Sequence, residues 1–346
     1  MSIQQALAKV VDHQDLSYEE MTAVMHQVMS GDATDAQIGG LLIALRMKGE
    51  TIDEIAAAAG VMRQLAAPVD VSQDNLVDLV GTGGDGANLF NVSTGATFIV
   101  AAAGARVAKH GNRSVSSTTG SSDVLETLGV PLDLSADQVA RAINEVGLGF
   151  MFAPAHHSAM RHAVGPRREL GMRTLFNILG PLTNPAGVQR QVLGVFSREL
   201  CEPMAAALQA LGSVHAMVVH SHEGLDEISI AGDTHVCELR DGNLTSYTLS
   251  PEDIGMPLRN LEGLAVSSAT ESAALIRAAL GGDSDERAQK AAAMLVLNAG
   301  ATLYVAGVAA TLADGVAMAE DVVATGQAAE KLKAFVGFTQ LMREEG

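Results

Sequence analysis

Gly81–Gly120 reads GTGGDGANLFNVSTGATFIVAAAGARVAKHGNRSVSSTTG, and the fold follows from it. The apolar run Leu76–Val80 leads in, bounded by Asn75 and glycine, which predicts a buried strand. It empties into Gly81, Gly83, Gly84 and Gly86, residues that permit positive φ and close approach of backbone to a ligand. Asn91, Ser93 and Thr94 precede the apolar run Ala96–Ala103, where a helix should begin. Such a helix start presents free N–H groups and a positive dipole end to an anion. A second strand, Arg106–Ala108, leads into Lys109, His110, Gly111, Asn112 and Arg113, and then into Ser114, Ser116, Ser117, Thr118 and Thr119. Strand, glycine loop, helix start, strand and basic-polar loop together predict a phosphate site with a floor and a lid.

Working outward, residues 1–67 predict four short helices. Ser17-x-x-Glu20 and Thr51-x-x-Glu54 match the capping box, and Gly31, Gly49 and Gly60 punctuate. The run ends at Pro68, and the domain boundary is expected near 68–75. This small module is expected to serve as a dimerisation or lid domain, or simply to cover its own core. From Leu76 strands and helices alternate, which predicts a mainly parallel sheet flanked by helices. Ser121 and Ser122 are expected to cap a helix through Leu128, and Ser135-x-x-Gln138 another. Further strands are expected at Leu148–Phe152, Gln191–Phe196 and Val214–His220, and a hairpin turns at Asp241-Gly242-Asn243. The alanine-rich remainder reads as helix. The fold class is therefore α/β: a small all-helical N-terminal domain, 1–68, and a larger domain, 72–346. A helix-rich insert at about 154–187 is expected to pack on the former.

Composition narrows the function. With 22 Lys plus Arg against 40 Asp plus Glu, the formal net charge of −18 argues against nucleic acid or an acidic membrane surface. Two cysteines, Cys201 and Cys237, make neither a disulfide framework nor a zinc pattern. The N-terminus lacks the marks of a signal peptide, and apolar runs such as Met294–Ala310 are broken by Asn298 and several glycines, so no membrane span and a cytoplasmic protein are expected.

Gly81-x-Gly83-x-x-Gly86 fits a dinucleotide fingerprint literally, but that pattern is weak alone. Ala87–Asn91 delay the helix, and the next strand ends at Lys109-His110 with no carboxylate for a ribose. A Lys, an Arg, backbone amides and serines suit phosphate or pyrophosphate, against the plainer reading of a solvated loop. Asp226-Glu227 suits Mg²⁺ completed by water and phosphate, against plain surface carboxylates. His220-x-His222 offers a rival transition-metal pair. Arg161, His162, Arg167, Arg168 and Arg173 form a cationic segment in which one arginine could grip a carboxylate; His156 and His157 read as packing residues.

The segments GTGGD, NVST, VAKHGNRSVSS, GSSD, GFMFAP, RRELGMRTLFNILGPLTNPAG and GLDEIS together resemble the anthranilate phosphoribosyltransferases of tryptophan biosynthesis, along the whole chain. The resemblance implies transfer of the phosphoribosyl group of 5-phosphoribosyl 1-pyrophosphate (PRPP) to the amine of anthranilate. It also implies Mg²⁺, a homodimer through the helical domain, and a fold similar to the pyrimidine nucleoside phosphorylases. Carried over by residue, Gly81, Gly84, Asp85, Asn91, Val92, Ser93 and Thr94 would hold PRPP. Lys109, His110, Gly111, Asn112, Arg113, Ser114, Val115, Ser116, Ser117 and Ser121 would close over its phosphates. Gly81, Asn112 and Arg167 would meet anthranilate, and Ser93, Asp226 and Glu227 the metal. No nucleophile or base is implied. The chain departs from the family at Leu89, Thr118 and Gly165-Pro166. A phosphorylase would use inorganic phosphate, and KHGNR argues against it. A non-catalytic relative that binds nucleic acid is disfavoured by the charge.

Overall fold

The computed structural model describes residues 1–113 and 119–345. Four helices come first: α1 (Ile3–Val11), α2 (Tyr18–Ser30), α3 (Asp35–Lys48) and α4 (Ile52–Leu65). Each opens with a reciprocal capping box, from Ser2, Ser17, Thr34 and Thr51, so two boxes join the expected pair. Gly31 and Gly49 end helices as expected. Gly60 instead lies inside α4, where a Cβ would come 3.0 Å from the Tyr18 hydroxyl.

Beyond Pro68 follow β1 (Leu76–Gly81), α5 (Val92–Ala102), β2 (Arg106–Gly111), α6 (Ser121–Leu128), α7 (Ala136–Val146) and β3 (Leu148–Phe152). Then come α8 (Ala153–His156), α9 (Arg161–Leu170), α10 (Phe176–Leu179), β4 (Arg190–Gly194), α11 (Cys201–Ala210) and β5 (His215–Ser221). A hairpin of β6 (Thr234–Arg240) and β7 (Asn243–Leu249) precedes α12 (Ala269–Leu280), α13 (Glu286–Ala306), α14 (Leu312–Ala324) and α15 (Gln327–Glu345). The sheet order is β3-β2-β1-β4-β5-β6-β7, parallel through β5 and antiparallel beyond. Asp241 and Gly242, both at positive φ, make the expected hairpin turn.

Alternate residues of β4 and β5 serve two cores. Val192, Met217 and Val219 face α5 and the C-terminal helices, while Leu193, Val195, Ala216 and Val218 face α11 and the N-terminal helices. Helix α5 is almost wholly buried between the sheet and α13 and α15, and Phe98 meets Phe335 with ring centroids 6.3 Å apart. Helix α9 lies against α2 and α3. Among the described residues no helix is long and apolar enough to cross a membrane. The chain runs outward from β1 to β3, then returns to β4 on the other side of β1. The resulting switch point leaves a crevice at the carboxyl ends of β1 and β4, where α/β folds seat ligands.

Candidate active site

Gly81 and Gly194 end β1 and β4 and are paired neighbours in the sheet. Neither has positive φ; both are glycine because Asp226 crosses over them. A Cβ on Gly81 would collide with the Asp226 carboxylate, and one on Gly194 with the Asp226 backbone carbonyl. Positive φ is needed one step later, at Gly83, Gly84 and Gly86. Gly83 N–H donates to Asp226 Oδ2 at 2.7 Å, and Ser93 N–H, in the first turn of α5, donates to Glu227 Oε1 at 3.1 Å. The acidic pair sits past the end of β5 and not on a strand. It lies in the connection after β5, which folds back over β1 and β4.

Burial, then the charge of Asp85, pushes the Asp226 carboxyl up to about 7; burial, then Asp226, pushes Glu227 up to about 8. Lys109 Nζ lies behind this wall and donates to the Leu79 carbonyl at 2.7 Å, with Asp78 and Glu227 opposing the loss of its proton on burial. Asp78 is fully buried and raised to about 6, and accepts from Asn184 Nδ2 at 2.7 Å. His110 corrects the expected cationic cluster. Burial and the neighbouring His157, at a ring-centroid distance of 5.1 Å, hold it down to about 3, so it is neutral. Arg113 pairs with Asp123 at 2.8 Å and Glu126 at 3.1 Å.

Asn91 N-caps α5, but its side chain caps nothing. It accepts instead from Thr119 Oγ1 at 2.7 Å and Ser272 Oγ at 2.8 Å. Ser121 and Ser122 lie within α6 rather than capping it. Gly120 is the N-cap, with its N–H held by Asp123 at 2.9 Å. Gly111 makes room for Ser121 and for the Phe150 ring.

Every described residue expected at the site lines one cavity of about 570 Å³. Ser114, Val115, Ser116 and Ser117 lie outside the described residues. Glycine loop, α5 start and acidic pair make one side. The other side carries Arg167, its guanidinium 5.4 Å from the Phe176 ring centroid, beside Met160, Val164 and Pro181. Thr94 Oγ1, His110 Nε2 and His157 Nε2 line it too, buried and without a hydrogen-bond partner among the described residues. Arg173 leaves the cavity wall: it donates to the Gly84 carbonyl and stacks on Phe196, while Arg46 of α3 donates to the Arg173 carbonyl. His220 faces away from the cavity, bonded to the Val195 carbonyl at 2.7 Å. Among the described residues, no three His, Cys, Asp or Glu side chains form a closed metal cage. Sequence reasoning missed Phe176, Asn177 and Ser272; Phe176 and Asn177 stand in the quoted LFNILG segment.

Residues 4–66 match the glycosyl transferase family helical bundle domain, and residues 73–329 the glycosyl transferase family α/β domain. The anthranilate phosphoribosyltransferase of Saccharophagus degradans is 64% identical over 341 residues, which are 99% of this chain and 100% of that protein. The chain belongs to the anthranilate phosphoribosyltransferase family. The Thermus thermophilus anthranilate phosphoribosyltransferase structure matches with a TM-score of 0.90 at 45% identity, over 97% of this chain and 99% of that one. The Saccharomyces cerevisiae anthranilate phosphoribosyltransferase is solved in complex with PRPP and Mg, with a TM-score of 0.86, 27% identity and 98% of each chain covered. It is also solved in complex with 4-fluoroanthranilate, at 26% identity, the same TM-score and the same coverage.

The raised carboxyls carry a consequence for the ligand-free fold. A group raised in the folded state contributes stability that is present below its unfolded pKa and lost as pH rises through the folded one. His110 and His157, held down to about 3 and about 4, act oppositely, losing stability as pH falls below the unfolded histidine value. The metal-free melting temperature should therefore rise from about pH 9 to about pH 7 and level off below about pH 6.5, where the histidines offset the carboxyls. A melting temperature that stays flat from pH 9 to pH 7 would show these carboxyls to be ordinary.

Proposed function

We propose that this chain transfers the phosphoribosyl group of PRPP to the amine of anthranilate, giving N-(5-phosphoribosyl)anthranilate and pyrophosphate, in tryptophan biosynthesis. The observation that carries it is one cavity with two chemically different sides. The glycine loop and the first-turn amides of α5 take the phosphates of the donor. Arg167 grips the acceptor carboxylate in an apolar wall, with Asn112 and Gly81 between the two substrates.

Mg²⁺ fits the donor side. Two buried carboxyls, raised by desolvation and by a neighbouring acid (Asp85 beside Asp226, Asp226 beside Glu227), are what a divalent cation would relieve, and the open site leaves room for water and phosphate oxygens. Asp226, Glu227 and Ser93 would hold the ion, which supplies charge compensation to the departing pyrophosphate. The C1–oxygen bond to pyrophosphate breaks and the C1–nitrogen bond forms. The arylamine attacks as the free base and releases its proton to solvent, so no side chain serves as nucleophile. Positioning and charge stabilisation supply the catalysis.

The test is the fall in anthranilate fluorescence when PRPP and Mg²⁺ are added to purified protein. No fall, with phosphorolysis of pyrimidine nucleosides instead, would overturn the reading. Arg167→Ala should raise the anthranilate KM at least about thirtyfold while moving that for PRPP less than about threefold. Equal rises in steady-state titrations of both substrates would remove Arg167 from the acceptor side.

The same reading divides the chain into a helical domain of residues 1–68, joined by the insert at about 154–187, and an α/β domain of 72–346. It pairs two copies through the helical domain in the cytoplasm. The exposed apolar side chains of Val11, Met47 and Ile52 support that pairing, which a light-scattering mass of a single chain would refute.

A further inference from the structure

We propose that Asn298 is the positioning residue that sets the acidic pair at the cavity, an inference that rests on Asp226 and Glu227 holding the metal. Helix α13 is apolar where it passes the site, from Met294 to Leu297, yet Asn298 follows there with no exposed surface. A buried amide costs free energy unless it is hydrogen-bonded. Asn298 is bonded at both ends. Its Oδ1 accepts from Ile228 N–H at 3.0 Å, and its Nδ2 donates to the Ile228 carbonyl at 2.9 Å and to Met294 O at 3.0 Å.

Ile228 directly follows Glu227, so Asn298 satisfies both backbone groups of the next residue in the chain, as a neighbouring strand would. The connection is pinned on either side as well. Ser221 Oγ accepts from Leu225 N–H at 3.1 Å, and Thr234 Oγ1 from Ser229 N–H at 3.1 Å. Asp226 and Glu227 are the two residues between the Leu225 and Ile228 pins. Their carboxylates stay aimed at Gly83 and Ser93 while the backbone behind them is held by α13. Among the described residues, Ile228 and the Met294 carbonyl are the groups this amide serves. Leucine keeps the branched shape, with somewhat more volume, and leaves both Ile228 groups buried and unpaired.

The experiment compares Asn298→Leu, Asn298→Ser and the double variant Asp226→Asn/Glu227→Gln with wild type. Two readouts are used: the Mg²⁺-dependent part of the melting-temperature rise in saturating PRPP, and steady-state kinetics. Asn298→Leu should need at least about tenfold more Mg²⁺ for half of that rise and for half-maximal rate, as for a residue that orients metal ligands. Its anthranilate KM should stay within about twofold of wild type. Asn298→Ser, whose smaller side chain lets a water reach Ile228, should fall between the two, and is read by the same criteria if the leucine variant does not fold. Unchanged Mg²⁺ requirements, or Mg²⁺ and anthranilate requirements rising together, would reduce Asn298 to a packing residue. If the double variant keeps the full Mg²⁺-dependent rise, the functional reading of the acidic pair fails rather than the role of Asn298.

Discussion

Replacing Asp226 by Asn and Glu227 by Gln together is expected to lower kcat/KM for PRPP by about a thousandfold and to abolish the response to Mg²⁺. The amides keep oxygens for Gly83 N–H and Ser93 N–H, so the loop should hold its course while losing both negative charges. The same change should not weaken the fold. Both carboxyls are raised by burial, so their charged forms are disfavoured in the folded state near and above pH 8. The melting temperature without metal should be equal to or higher than that of wild type, a separation of stability from activity common at binding sites. Kinetics against Mg²⁺ and a melting curve in chelator check both parts. A variant whose rate still climbs with Mg²⁺ at the wild-type half-saturation would move the metal elsewhere.

Gly194→Ala is expected to have the second largest effect, at least about a hundredfold in kcat/KM, because a displacement near one ångström at a site costs about that much. Gly194 has an ordinary β conformation, so alanine meets no backbone penalty there. The obstacle is the Asp226 carbonyl, which belongs to backbone and cannot rotate away. Gly81→Ala meets the end of the Asp226 side chain instead, which can yield, so its loss should be smaller. Overpacking at Gly194 should cost about 1–3 kcal/mol of stability, leaving a folded protein for assay. Kinetics of the two alanine variants side by side are the measurement; Gly194→Ala within threefold of wild type would mean that the loop tolerates displacement.

Much of the fold is legible in the sequence, because buried strands and amphipathic helices announce themselves by period and by cap. Seven strands follow the expected alternation, and the described site residues, from Gly81 to Glu227, meet at one cavity. What stayed hidden are consequences of burial between distant segments. Gly194 reads as an unremarked glycine in a strand, Asn298 as an interruption of an apolar run, and His110 as a cation. Nothing local announces the Asp226 carbonyl over Gly194, the Ile228 backbone at Asn298, or the desolvation that keeps His110 neutral. RTLFNILGPLTNPAG is a similar case. That segment runs from the cavity wall at Phe176 and Asn177 to Asn184, whose amide donates to Asp78 at 2.7 Å and to the Ala108 carbonyl at 2.8 Å, joining β1 to β2. The segment is a strut between strands as well as part of the cavity wall.

The contacts from Arg46 through Arg173 to Gly84 tie the helical bundle to the glycine loop. A rotation of the bundle away from the sheet has to break these contacts or draw the Gly84 carbonyl with it. Widening the cleft and displacing the glycine loop are thus coupled through one arginine. Product escape and loss of grip on the donor should occur in the same movement.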